Sequence, residues 1–79
     1  MPPELPQISG RQLVKLLVKL GYEIVRQRGS HMRLRKQMET SEHKVTVPLH
    51  RTVAKGTLRD ILDDVAKRND MTTDEIIRL

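Results

Sequence analysis

The hydrophobic period of this 79-residue chain changes twice, from helical to strand-like and back to helical. Apolar residues near both ends recur at the spacing of one helix face, whereas those in the middle alternate with polar residues, as in a strand. The pattern favours a mixed fold in which helices flank a sheet. The residues with helical spacing are Leu13, Leu16, Leu17 and Leu20 near the start and Leu58, Ile61, Leu62 and Val65 near the end.

The first helix is predicted from about Gly10 to Leu20. Ser9 provides an N-cap, and Gln12, three positions on, completes the spacing of a capping box. Gly21 suits the left-handed position that commonly ends a helix. Both ends of this helix are therefore marked in the sequence.

Two further helices are predicted in the C-terminal part of the chain. One runs from about Leu58 to Arg68, with Thr57 as its N-cap. A short one is predicted within residues 71–79, because Thr72 and Glu75 have capping-box spacing.

Three strands are predicted between the first two helices. The first strand contains adjacent Ile24 and Val25, which leave open which side of it faces inward. The third ends near Pro48, because proline cannot donate a hydrogen bond to a sheet. The predicted bounds are Tyr22 to Arg28, then the Gly29-Ser30 turn, His31 to Lys36, a polar loop from Gln37 to Glu42, and a strand that ends near Pro48.

The order α-β-β-β-α predicts an α+β domain with a three-stranded antiparallel sheet. Both helices are expected on one face of this sheet, which leaves its other face bare. This is the topology of the double-stranded-RNA-binding domain. We expect a single domain over residues 1–79, with the proline-rich residues 1–7 as a loose N-terminal extension.

The second predicted strand contains the residues best suited to chemistry. If Met32 points into the core, strand alternation places His31, Arg33 and Arg35 together on the bare face. A histidine has both protonation states accessible near neutral pH, and guanidinium groups can bind a phosphodiester. RNA carries its own nucleophile in the 2′-hydroxyl, so one base and a few cations could suffice for cleavage. The alternative is that His31 is an ordinary polar residue on an exposed strand.

The charge of the chain is concentrated in its middle part. Residues 11–55 carry 11 basic and 3 acidic side chains, a net of +8, whereas residues 56–79 carry 4 basic and 6 acidic ones, a net of −2. Such a basic region attracts polyanions, above all nucleic acid, although solvated faces of similar composition occur in proteins without such a partner. Because Tyr22 is the only residue of the Phe, Trp and Tyr types, the core is expected to be aliphatic. For the same reason, RNA binding cannot depend on a platform of stacked aromatic rings.

Other features of the sequence limit its function class. It has no cysteine, no signal peptide and no apolar run long enough to span a bilayer, so we expect a soluble cytoplasmic protein. No cofactor-binding loop and no metal-ligand spacing occurs, and we expect neither a cofactor nor a metal. His43 is expected to be solvated. His50 is either a second acid or base, or a loop histidine that hydrogen-bonds the backbone.

Several short motifs make the chain resemble the HicA mRNA interferase toxins, also called YcfA-like, of type II toxin-antitoxin modules. The resemblance covers most of the chain, and the motifs together are far more specific than any one alone. They are Ser9-Gly10 leading to Leu13, Gly21-Tyr22, Gly29-Ser30-His31, Val47-Pro48 with His50, and Gly56-Thr57-Leu58 with Ile61-Leu62.

The resemblance implies a dsRBD-like fold, a ribonuclease activity on mRNA that halts translation, and neutralisation by a HicB antitoxin. Together with the exposed His-Arg strand, it leads us to expect a metal-independent ribonuclease. It also implies that His31 is the catalytic histidine; for His50 it says only that the position belongs to the pattern. The phosphate contacts are predicted from strand geometry and charge alone, at Arg28, Arg33, Arg35, Lys36 and Lys44. The proline-rich start and the acidic 37–42 loop depart from the family's pattern.

Two other functions fit the same sequence. A non-catalytic RNA-binding module would use the same basic face through phosphate contacts and would not cleave RNA. A protein-interaction domain would have no affinity for RNA at physiological salt.

Overall fold

A computed structural model describes residues 5–79 of the chain and confirms the predicted order of elements. Part of the predicted N-terminal extension, residues 1–4, lies outside the described residues, and Leu5 packs against the core. The elements are α1 (Gly10–Lys19), β1 (Glu23–Arg28), β2 (His31–Gln37), β3 (Glu42–Pro48), α2 (Lys55–Arg68) and α3 (Thr73–Ile77).

Both predicted ends of α1 are confirmed. The Ser9 hydroxyl accepts from the backbone N–H of Gln12 at 3.1 Å, and the Gln12 side chain accepts from the backbone N–H of Ser9 at 2.8 Å. This capping box satisfies N–H groups that have no partner within the helix. Gly21, just after the helix, has a φ of +101°, which strongly favours glycine.

The predicted start of α2 is wrong by one turn. The helix begins at Lys55, because the backbone N–H of Leu58 donates to the carbonyl of Ala54 at 2.8 Å, so the turn before Thr57 is already helical. The N-cap is Ala54, which provides no side-chain hydrogen bond. For α3, the capping box of Thr72 and Glu75 is confirmed.

The three strands form one antiparallel sheet in the order β1-β2-β3, and the helices pack over one face, mainly against β3. The core between the sheet and the helices is aliphatic apart from Tyr22, as the composition predicts. Within residues 5–79, none of the helices has the length and apolarity needed to cross a membrane. The core residues are Leu13, Val14, Leu17, Tyr22, Leu34, Val45, Val47, Val53, Leu58, Leu62, Val65, Ala66 and Ile76.

Candidate active site on the open sheet face

The sheet has one face that the helices do not cover, which we call the open face. Cross-strand partners in a sheet lie on the same face, so the pairing register assigns its residues. They are Glu23, Val25, Arg26 and Arg28 of β1, His31, Arg33, Arg35 and Gln37 of β2, and Glu42, Lys44, Thr46 and Pro48 of β3.

A β-bulge in β1 determines which of its residues reach the open face. Ile24 pairs with Leu34 and Arg26 pairs with Arg33, so Val25 is an extra residue between two pairs. Without it, alternation from Glu23 would turn Arg26 and Arg28 toward the helices. The bulge instead brings both arginines to the open face, in keeping with the tendency of bulges to redirect side chains near functional sites. Arg26 is absent from the predicted site residues, because no sequence signal marks this bulge.

The pairing register also shows which of Ile24 and Val25 faces the helices. Ile24 shares the face of Leu34, and Val25 lies on the open face with Arg33 and Thr46. Both remain about half exposed, at 53% for Ile24 and 55% for Val25. For Ile24 the reason is that the helices pack mainly against β3, at the other edge of the sheet.

His31 lies at one end of the open face, where β2 begins. It is exposed, and its cross-strand partners are Arg28 on β1 and Pro48 on β3. The backbone N–H of Leu49 donates to the carbonyl of Ser30 at 2.6 Å, which ties the chain after β3 to the turn before His31. His50 is the next residue, so its Cα lies within roughly 12 Å of that of His31.

Gly10 fixes the loop that carries His50. Its backbone N–H donates to the carbonyl of His50 at 2.9 Å. A Cβ at this position would collide with the carbonyl oxygen of Pro48 and with the Cα of Leu49. Only glycine allows this close approach of α1, which places the start of α1, the His50 loop and His31 at the same end of the sheet.

Three arginines gather beside His31. Arg26 and Arg33 are direct cross-strand partners, and Arg28 is the partner of His31 itself. Among residues 5–79, none of these three guanidinium groups forms an ion pair. Like charges directly opposite each other on a sheet are destabilising. This end of the open face is therefore a cationic surface that a bound anion would stabilise.

The other end of the open face is partly neutralised by carboxylates. Arg35 lies between Glu23, at 3.9 Å, and Glu42, at 3.5 Å. Glu42 also lies 3.8 Å from the ammonium group of Lys44. Arg35 and Lys44, both predicted phosphate contacts, thus share the carboxylate of Glu42, and Arg35 also contacts that of Glu23. They therefore attract an anion less strongly than the three arginines at the His31 end.

Lys36 is not part of the open face. It follows Arg35 on β2 and points to the helix side, where its ammonium group donates to the side-chain oxygen of Asn69 at 2.5 Å. The same ammonium group lies 5.8 Å from the centre of the Tyr22 ring. Of the predicted phosphate contacts, the structure brings Arg28, Arg33, Arg35 and Lys44 together with His31 and leaves Lys36 on the opposite face.

His43 is buried, so the expectation that it is solvated is wrong. It is 3% exposed and lies on the helix face of β3. Its Nδ1 is 2.6 Å from the Tyr22 hydroxyl, and its Nε2 is 2.8 Å from a carboxylate oxygen of Asp64. A neutral imidazole with the proton on Nε2 satisfies both contacts, since it donates to Asp64 and accepts from Tyr22.

Tyr22 links His43 to the end of α2. Its hydroxyl also accepts from the side-chain N–H of Asn69 at 3.0 Å. Burial raises the pKa of Tyr22, so its hydroxyl stays a hydrogen-bond donor to His43. The network joins β3, the start of β1 and α2 through side chains, and no polar side-chain atom buried within the described part of the chain lacks a partner.

The fold and the open face define a small α-β-β-β-α domain whose exposed cationic sheet carries a histidine at one end. A family model described as the HicA toxin of bacterial toxin-antitoxin matches residues 10–66, from the start of α1 to near the end of α2. The chain belongs to the HicA toxin family, which implies a cognate antitoxin as its partner. No curated protein and no solved structure gives a significant match.

Proposed function

We propose that this toxin is an endoribonuclease that cleaves mRNA, with His31 as an acid-base group and the neighbouring arginines as phosphate ligands. The observation that carries the proposal is the group formed by exposed His31 and three guanidinium groups that have no ion-pair partner within residues 5–79. The family membership supports the toxin role. The proposal adds the reaction and the residues.

The proposed cleavage begins at the 2′-hydroxyl of the substrate. Neutral His31 accepts the proton of this hydroxyl, whose oxygen attacks the adjacent phosphorus. The bond from phosphorus to the 5′-oxygen of the next nucleotide breaks, and that oxygen takes up a proton. The products are a 2′,3′-cyclic phosphate and a 5′-hydroxyl end. Such a step requires no redox change and no metal.

The arginines have a separate role in this scheme. Negative charge builds up on the non-bridging oxygens as phosphorus becomes five-coordinate, and a guanidinium group can donate two parallel hydrogen bonds to such oxygens. Arg28 lies opposite His31 on β1, and Arg33 lies two residues after His31 on the same face of β2. Arg26 lies opposite Arg33. Their positions allow one phosphate to be bound beside the imidazole.

His50 is the candidate for the second acid-base group, which protonates the leaving 5′-oxygen. It is exposed, and its loop is held at the His31 end of the sheet by the hydrogen bond from Gly10. Both histidines then work in opposite protonation states, which gives a bell-shaped dependence of kcat/KM on pH.

The antitoxin is proposed to be of the HicB type and to act by covering the open face. Acidic groups on such a partner would pair with the arginines beside His31 and would mainly raise the rate and specificity of association. Both proteins would act in the cytoplasm, where mRNA is the substrate. A complex that left His31 accessible would contradict this mode of inhibition.

A non-catalytic RNA-binding module remains the second candidate function. It is favoured by one observation: among residues 5–79, His31 is the one histidine of the open face, and the carboxylates of that face, Glu23 and Glu42, already contact cations. This function predicts salt-dependent binding of RNA without new ends over long incubation.

The two functions are separated by incubating the toxin with a single-stranded RNA in EDTA. A nuclease of the proposed kind cleaves this RNA into fragments with cyclic phosphate ends. A single 2′-deoxynucleotide blocks cleavage at its own 3′ side only. Loss of cleavage in His31→Ala but not in Gln37→Ala, an uncharged residue of the same face and strand, supports the role of His31. Unchanged cleavage by His31→Ala would refute it.

A further inference from the structure

A depression of about 400 Å³ lies on the open face beside the arginines. Val25 of β1 and Thr46 of β3 lie on opposite sides of it, and Arg33 and Arg35 of the central strand cross it. His31 does not line the depression, although Arg33 is only two residues, or about 7 Å, farther along β2. The depression is thus next to the proposed cleavage site without being part of it.

The β1 side of the depression suits a flat, weakly polar group. Val25 is 55% exposed here, beside Arg26 and Arg33, because it follows Glu23 by two residues and therefore lies on the open face. Unpaired bases bind to proteins by stacking, and a guanidinium plane can replace an aromatic ring in this role. Arg26 and Arg33 provide such planes beside Val25. A depression of this volume has room for one unpaired nucleobase.

Glu42 makes one side of the depression unsuitable for phosphate. Its carboxylate lies 3.5 Å from Arg35 and 3.8 Å from Lys44, both longer than a strong charge-assisted hydrogen bond. A carboxylate only accepts hydrogen bonds, so it repels a phosphate and favours a group that carries N–H donors. The amino groups of nucleobases are such donors.

We propose that this depression is a nucleobase subsite in which Glu42 selects a base with an amino group on its Watson–Crick edge. Guanine fits best, since its N1–H and its amino group lie side by side and match the two carboxylate oxygens. Uracil has no amino group and fits worst. The inference rests on the proposed RNA substrate, and it adds a preference for the base near the cleaved bond.

The test uses oligouridine strands that contain a single guanosine, adenosine, cytidine or inosine. Cleavage by the toxin is expected to be about tenfold faster at one bond with a fixed offset from the guanosine than in all-uridine RNA. Inosine, which lacks the amino group of guanosine, should increase the cleavage rate less than guanosine does. Binding of the same strands to His31→Ala, measured by fluorescence anisotropy, should follow the same order.

The chain offers a matched pair of variants for this experiment. Glu42→Gln removes the proposed acceptor, whereas Glu23→Gln removes the other carboxylate beside Arg35, which does not line the depression. Glu42→Gln should bring the ratio of cleavage rates between the guanosine strand and all-uridine RNA close to one. Glu23→Gln should leave this ratio unchanged. If the carboxylates serve only to balance charge, both variants will instead raise the affinity for every strand alike, which overturns the inference.

The outcomes also separate this inference from the proposed function. Cleavage or binding that is equal for all strands overturns the base subsite and leaves the nuclease intact. RNA that is bound with the predicted preference but not cleaved supports the subsite and refutes the nuclease. Absence of both binding and cleavage refutes both.

Discussion

The surroundings of His31 and of His43 differ in almost every respect, although both histidines belong to the same sheet. His31 lies on the open face, exposed, beside arginine side chains that have no carboxylate partner among residues 5–79. His43 lies on the helix face, 3% exposed, with a partner for each ring nitrogen. An imidazole whose two ring nitrogens both have hydrogen-bond partners connects parts of the fold. An exposed imidazole beside cations can instead contact a substrate.

The two faces of the sheet also differ in their effect on stability. The helix face connects β3, the start of β1 and α2 through the polar network of Tyr22, His43, Asp64 and Asn69. The open face gathers like charges at one end, which costs stability. Substitutions on the two faces should therefore act on different quantities, and this expectation can be tested variant by variant.

The largest effect is expected from His31→Ala on catalysis. Loss of an acid-base group should lower the cleavage rate by about 10²-fold or more. The free energy of unfolding should change by less than about 0.5 kcal/mol, since the side chain is exposed. Single-turnover cleavage and urea unfolding measure the two quantities, and a large loss of stability would show that His31 is structural.

The opposite result is expected for His43→Ala. The variant leaves the Tyr22 hydroxyl without its acceptor and creates a cavity, and should lower the free energy of unfolding by about 2–4 kcal/mol. Cleavage per folded molecule should stay within about threefold of the parent chain, because His43 does not reach the open face. A loss of activity greater than the loss of folded protein would contradict the expectation that His43 affects stability and not cleavage.

A smaller effect should distinguish the two ends of the open face. Arg33→Gln is expected to weaken RNA binding by about tenfold. It should also lower the slope of log K against log salt concentration by about one, which corresponds to one lost phosphate contact. Arg35→Gln should weaken binding only about twofold, since Glu23 and Glu42 already offset this charge. Binding isotherms at several salt concentrations provide the comparison, and equal losses would show that the carboxylates do not matter.

Tyr22→Phe should have a moderate effect on stability alone. It removes the donor to His43 and the acceptor for Asn69, at a cost of about 1–2 kcal/mol in the free energy of unfolding. Chemical denaturation measures this cost. The cleavage rate of the folded variant should match that of the parent chain, as for His43→Ala.

The smallest effect concerns alkaline pH. The pKa of Tyr22 is raised above its ordinary value of 10.0, mainly by burial, so the folded state favours the protonated hydroxyl. The stabilisation by this group is therefore complete below pH 10 and decreases as the pH rises through the folded-state pKa. The stability difference between the parent chain and Tyr22→Phe should shrink in this range, and a constant difference would contradict a buried, protonated hydroxyl.

Much of the fold could be predicted from local patterns. The capping boxes at Ser9 and Thr72 were confirmed because each depends on residues three positions apart, and such contacts form within a single turn. The predicted start of α2 was wrong because the N-cap is Ala54, a residue without a capping side chain. Its neighbour Val53 is held by a backbone hydrogen bond to Ile8, a contact between distant parts of the chain.

The candidate site could be predicted only in part. The position of His31, Arg33 and Arg35 on one face follows from strand alternation and agrees with the pairing register. Lys36 follows the same alternation to the other face, so the prediction that it contacts phosphate disagrees with the strand pattern that places His31, Arg33 and Arg35. Their roles in binding and catalysis remain predictions.

The sequence by itself determined the order of helices and strands, the aliphatic core and the face on which His31 lies, because these depend on periodicities within a few residues. Only the tertiary structure decided that Arg26 and Arg28 join His31, since a bulge exists only relative to the partner strand. It also decided that His43 is buried, because its partners Tyr22 and Asp64 are each 21 residues away along the chain. Contacts of this kind depend on how the elements pack, and no local pattern encodes them.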